Sequence, residues 1–276
     1  MRDEIVERQA ELEERHWWFV GRREILLEVS AALLPPERAG LVIDVGCGTG
    51  GNVGALSERY RAVGIDSSSR ALELARARHP RVRFVLGDQA SLAGQFVEPG
   101  CLVLLNDVLE HVPDDFRFFS ELLAPLPAGT TLILTVPAGE HLWSPHDVAL
   151  SHYRRYEVER LRRVWSGLPV RELLVTPFNS RLYLAARVRR LFTSRWNTAT
   201  RSVSDLEVLP GLLNRVLARW FAGERIPIRR ALATGGRPPF RRGVSLLAVL
   251  TRLPGAVSPR NRPPEVAPDR HNPAAR

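Results

Sequence analysis

Apolar residues recur along this chain in two periods, that of helices and that of strands, and the switches between them mark out its elements. Residues 2 to 15 mix charges of both signs along a helical stretch. From 23 to 34, Ile25, Leu26, Val29 and Leu33 fall at helical spacing, and the pattern stops before Pro35 and Pro36. Between them lies His16-Trp17-Trp18-Phe19. Three adjacent aromatics cannot all face one core, so some of them cover a site or a neighbouring element. Residues 1–39 therefore read as an N-terminal helical lid. From 41 onward short apolar runs predict strands at 41–45, 61–66, 82–89, 101–105, 130–136, 170–176 and 243–250, with helices at 51–60, 69–79 and 157–166. That alternation predicts an α/β fold, a doubly wound sheet with helices on both faces.

The chain is organised around residues 41–52, LVIDVGCGTGGN. An apolar strand ends in Asp44 and opens into Gly46, Gly48, Gly50 and Gly51, a strand, tight turn and helix start suited to a nucleotide. Gly46, Gly48 and Gly51 also fit the GxGxxG of dinucleotide-binding folds. Asp44 and the extra Gly50 turn the pattern into DxGxGxG, which resembles motif I of the class I S-adenosylmethionine (SAM) methyltransferases. Three later segments extend the resemblance in the right order: Asp66 with Ser67, 20 residues past Gly46; Asp88 with Gln89 after the third apolar run; and Asp107 opening DVLEH. An acid at the Asp66 position can accept both ribose hydroxyls. The resemblance covers about residues 41 to 137 and implies a Rossmann-like, seven-stranded sheet, mostly parallel, whose last two strands form an antiparallel edge hairpin. It implies SAM as cofactor, with Asp44, Gly46, Cys47, Gly48, Gly50, Asp66, Ser67, Asp88, Gln89 and Asp107 as its binding residues.

Loops at the carboxyl ends of parallel strands are where open α/β sheets bind ligands, and here they carry His111, then LWSPHD with His146, then His152-Tyr153-Arg154-Arg155-Tyr156. HWWFxGRR, LWSxHD and HxRRY resemble a subgroup of bacterial small-molecule methyltransferases, except that Ser151 stands where that subgroup would have glycine. Methyl transfer needs a base only for a protonated nucleophile, and His111, His146 and His152 are the candidates. His146 ranks first, because Asp147 and the arginine pair supply polar company.

The chain divides into the lid, a SAM-binding core at 40–177, an insertion at 178–241, a final core strand at 242–253 and a proline-rich tail at 254–276 expected to be disordered. The insertion holds two amphipathic patterns, Leu184-Val188-Leu191-Phe192 and Leu212-Leu213-Val216-Leu217-Trp220-Phe221, flanked by arginines. Charge sharpens this division. Residues 1 to 150 carry 14 Arg against 22 acidic residues, net −8, and the remainder 25 Arg against 8, net +17. The expected acceptor is a small molecule, with an anionic or lipid-linked one suiting the basic half and allowing peripheral membrane contact. Two cysteines without ligand spacing predict no disulfide framework and no metal, and the absence of a long apolar run or leader predicts a cytoplasmic protein. Two other readings compete: an NAD-linked oxidoreductase, and a SAM-binding or nucleic-acid-binding regulator, for which no RNA-binding motif speaks. The sequence leaves the acceptor, the methylated atom and the oligomeric state open.

Overall fold

The computed structural model describes residues 3–38, 40–92, 97–184, 187 and 209–257. Seven strands form one sheet: β1 (Leu41–Val45), β2 (Arg61–Asp66), β3 (Arg83–Leu86), β4 (Leu102–Asn106), β5 (Thr131–Pro137), β6 (Val170–Phe178) and β7 (Ser245–Arg252). Their order is β3-β2-β1-β4-β5-β7-β6, parallel from β3 to β5, with β7 antiparallel to both β5 and β6. The fold is therefore the expected seven-stranded Rossmann-like sheet with an antiparallel edge. Strand alternation divides its side chains between two apolar layers. Leu41, Ile43 and Val45 enter one with Phe116, Phe119 and Leu122 of α5 (Asp115–Leu123) and Leu161 of α7 (Val158–Arg163). Val42, Leu102, Leu104 and Ile133 enter the other with Ile25, Leu26 and Val29 of α2 (Trp17–Leu33). Asp44 shares the alternation of Val42 and so lies on the α2 side.

The helix expected at 23–34 begins at Trp17 instead, because His16 caps it: His16 Nδ1 accepts from Trp18 N at 3.3 Å. Burial pushes the His16 ring down to about 4, which keeps it neutral and able to accept. The aromatics thus become helical residues with separate tasks. Trp17 meets Phe221 edge-on, Phe19 is buried, and Trp18 carries the Arg22 guanidinium 4.1 Å above its ring. Ahead of it, α1 (Asp3–Glu13) packs on α4 (Ser69–Arg78), with Arg70–Glu7 at 2.5 Å and Arg78–Glu14 at 2.8 Å.

In the insertion, α8 (Gly211–Ala222) and α9 (Arg225–Ala233) pack behind α2. The first of the two amphipathic patterns lies outside the described residues apart from exposed Leu184, and the tail from 258 likewise. α9 was not legible as a separate helix because Pro227 interrupts its pattern; it stands in the first turn, where proline is tolerated. α8 turns Asn214, Ala218 and Phe221 inward, while Leu212, Leu213, Val216 and Trp220 are exposed, so the predicted apolar stripe is split between two faces. The antiparallel strands extend to Phe178 and Arg252, each two residues beyond expectation, and β7 starts two residues later than expected.

Candidate functional site

At the carboxyl end of β1 the chain turns through Gly46 (φ 75) and Gly48 (φ 54), conformations that favour glycine. A Cβ on Gly46 would stand 2.4 Å from Val108, so the turn and the loop after β4 touch directly. Among the described residues, only Gln9 comes within 4 Å of where a Cβ on Gly48 would stand, at 3.7 Å, and Gly48 itself is half-buried. Asp66 at the end of β2 braces the turn, accepting from Gly48 N and Ser68 N, both at 2.8 Å. α3 (Gly51–Leu56) leads away from the turn. Cys47 lies in the turn by its backbone alone. Its thiol is in the core with Val53, Leu72 and Phe84, and burial drives it far above its usual pKa.

Asp44 is 1% exposed, and neither carboxylate oxygen has a hydrogen-bond partner. Burial raises its pKa to about 7 against the pull of Arg22, with Glu13 and Asp66 adding repulsion. Asp107 follows β4 with φ 54, which is unusual for a residue other than glycine and is held from both sides. Thr135 Oγ1 donates to its Oδ1 at 3.1 Å, and Arg22 pairs with its Oδ2. Strained residues of this kind concentrate at functional sites. Arg22 is buried, and the loss of water lowers its pKa to about 10. Glu13 reaches the same place from α1, accepting from Thr49 Oγ1 at 2.6 Å and Arg78 at 3.1 Å. Gln9, Glu13 and Arg22 were absent from the sequence-derived site. Only Arg22 had a signal, the arginine pair of HWWFVGRR.

The other proposed cofactor residues lie further out. Asp88 is exposed and bonds the nitrogen of Ala90 at 3.0 Å, Gln89 donates to Glu121 at 2.9 Å, and Ser67 is exposed. Leu86, paired with Asp66 across β2 and β3, is 58% exposed, an apolar surface beside the acid.

The three histidines separate. The preference for His146 assumed that Asp147 would serve it, but within α6 (Pro145–Ala149) Asp147 points away to other partners. It is fully buried and accepts from Ser144 N at 2.8 Å, Arg155 Nε at 2.8 Å and the His152 ring at 3.0 Å. Burial alone would raise its pKa, yet the His152 hydrogen bond and the Arg155 charge hold it well below the usual range. His152 meets His111 edge-on, ring centroids 4.7 Å apart. Glu110 lies beside both, 1% exposed, and burial pushes its pKa up to about 8. Ser151 has φ 58, the left-handed conformation that glycine adopts freely, so the serine departs from the subgroup's residue but keeps a turn that suits it. Arg154 is tied to carbonyls of the Glu110 loop, Val112 and Pro113, which fixes the histidine segment against the end of β4.

A cofactor bearing an ammonium and a sulfonium fits this arrangement. Asp44, Asp66 and Asp107 surround the glycine turn, of which Gly46 and Gly48 are half-buried, and among the described residues neither Asp44 oxygen has a hydrogen-bond partner. A cleft at the amino ends of the strands, lined by Leu41, Arg61 and Arg83, lies at the opposite edge from these groups. Comparison with known proteins agrees. Residues 42–129 match the family model described as a methyltransferase domain. The trans-aconitate 2-methyltransferase of Variovorax paradoxus is 37% identical over 38% of this chain and 42% of its own. That of Rhizobium leguminosarum bv. trifolii is 32% identical over 50% and 56%. The chain thus spans about half the length of these curated relatives. The plantazolicin methyltransferase BamL, solved with a desmethyl plantazolicin analogue and S-adenosylhomocysteine (SAH), aligns at a TM-score of 0.51 with 13% identity, over 84% of this chain and 85% of its own. Residues 42–129 thus match a methyltransferase domain, set in a chain with the mostly parallel seven-stranded sheet described above.

Proposed function

We propose that this protein transfers the methyl group of SAM to a small acceptor. The observation that carries the reading is Asp44, a buried carboxylate whose two oxygens have no hydrogen-bond partner among the described residues, beside the glycine turn. Asp44, the turn and Asp107 would hold the methionine end, Asp66 the ribose, and Asp88 with exposed Leu86 the adenine. SAM supplies a methyl already activated by its sulfonium, so the chain's work is largely to position and desolvate. Arg22, wedged between Trp18 and Asp107, is suited to neutralise this acidic pocket or to pair with a carboxylate. The helices α1 and α2 act as a lid over the turn. For a hydroxyl acceptor, His152 is the preferred base: Asp147 holds its Nδ1, which leaves Nε2 to take the proton. His111 stands at its side, and His146 is the weaker candidate. Titration calorimetry with SAM, SAH and NAD tests the assignment. SAM and SAH should bind, NAD should not, and Asp66→Ala should weaken SAH by about 1.5 to 3 kcal/mol. NAD binding alone would sink the reading and favour the oxidoreductase.

Relatives named for trans-aconitate, a small anionic acceptor, support that substrate class here. A lipid-linked acceptor with peripheral membrane contact is supported by α8, whose outward face carries Leu212, Leu213, Val216 and Trp220 beside Arg215 and Arg219. No helix among the described residues is long and apolar enough to cross a membrane. Co-sedimentation with anionic liposomes at low salt, lost at high salt and in Trp220→Asp, is the expected result. A protein that stays in the supernatant at low salt removes the lipid version and leaves the soluble anion.

A further inference from the structure

We propose that Glu110, His111 and His152 bind a divalent cation of the zinc, manganese or cobalt type, which holds an oxygen-rich acceptor next to the cofactor pocket. The acceptor half of this inference rests on the methyltransferase reading; the cation half stands on the cluster alone. Each of the three residues offers a ligand atom, and these atoms lie within 4.8 Å of one another. Ligands bonded at about 2.1 Å to one ion stand roughly 3 to 4 Å apart, so side-chain rotations of about 1 Å close the set.

Glu110 gives the independent sign that something is to be bound. Its Oε2 is buried with no hydrogen-bond partner, which is costly for a carboxylate unless an ion or donor arrives. One of the two imidazoles is prepared in the way metal-binding histidines require, steadied through a second group. His152 Nδ1 is held by the Asp147 carboxylate, itself fixed by Arg155, so Nε2 is the nitrogen left for an ion. The Leu150 backbone lies beside the His111 ring and favours its proton. Two imidazoles and one carboxylate form a donor set that suits zinc and its neighbours, and three protein ligands leave coordination positions for acceptor oxygens. With a cation in place His152 is a ligand and no longer the proton acceptor.

The test uses the full chain, stripped with a chelator and titrated with zinc chloride by calorimetry and with cobalt chloride by visible absorption. One cation per chain is expected, with cobalt bands of an imidazole–carboxylate site. Glu110→Gln and His152→Gln should each weaken zinc by tenfold or more while SAH affinity, read on the same samples, stays within a few-fold. If one variant fails to bind SAH, the other carries the comparison, with His111→Gln as a third. A wild-type chain that binds SAH but neither metal overturns the cation site and leaves the methyltransferase reading intact. Unchanged zinc affinity in variants that bind SAH overturns the ligand assignment. Loss of SAH binding by the wild type strikes the methyltransferase reading instead, whatever the metals do.

Discussion

Asp44→Asn should make the ligand-free protein more stable at pH 8 and at the same time cripple its hold on SAH. The carboxylate faces Arg22 from α2, Glu13 from α1 and Asp66 from β2, and the Asn106 amide from β4 eases its charge from beyond ordinary hydrogen-bond geometry. Its pKa rises from an ordinary 3.8 to about 7, so the folded state keeps a proton that the unfolded chain releases. Stability from this group is therefore fully present below about pH 4 and is lost as pH climbs through 7, a change of about 4 kcal/mol. Asparagine does not titrate and removes that loss. Urea unfolding between pH 5 and 8 measures it: the wild type should weaken across the range by several kcal/mol more than the variant. Parallel slopes for the two proteins would show that Asp44 is solvated or paired in solution. SAH binding should fall ten- to a hundredfold, since a charged acceptor is lost.

The second large effect is expected at Asp147. Its carboxylate is fully buried and joins Ser144, His152 and Arg155, while Arg155 is 4% exposed and, among the described residues, otherwise bonds only the Ala138 carbonyl, at 3.1 Å. Asp147→Ala leaves a buried guanidinium without its counter-charge, which costs about 3 to 5 kcal/mol. For a chain of this size that corresponds to a drop of roughly 10 °C in Tm. Calorimetric melting of Asp147→Ala beside Asp147→Asn measures it, the amide retaining the cap and part of the hydrogen bonding. A Tm within a degree or two of wild type would mean that the loop is not locked by this carboxylate.

What could be read in advance was the chemistry that is local in sequence. The glycine turn, Asp66 and the seven strands follow from spacing, because backbone conformation and strand alternation are written residue by residue. His152 was named beside His146, but Asp147 went to the wrong ring: adjacency favoured it for His146, whereas a helical turn sends the carboxylate toward a side chain five residues on. Glu13 and Glu110 were beyond such reasoning, and Arg22 showed only as one of an arginine pair with no partner to name. Arg22 meets Asp107 across 85 positions, and Glu13 meets Thr49 across 36, pairings that only the packed tertiary structure brings about. The split face of α8 was hidden for the same reason: periodicity groups apolar residues by angle but says nothing of which sector finds a neighbour.

Asn214 joins two parts of the molecule that sequence distance keeps apart. Its side-chain oxygen accepts from Trp17 N at 2.9 Å and its nitrogen donates to the Arg15 carbonyl, so it bridges the junction of α1 and α2 to α8. Beside it, Gly21 of α2 comes so near Phe221 that a Cβ there would stand 2.6 Å from the ring. The two helices are thus bolted together at the same turn that carries Trp18 and Arg22. Any swing of α2 that uncovers the glycine loop must drag α8 and its outward leucines along, or else tear out a buried amide. A load applied to the outer face of the insertion is for that reason felt at the glycine turn, through a lever one helix long.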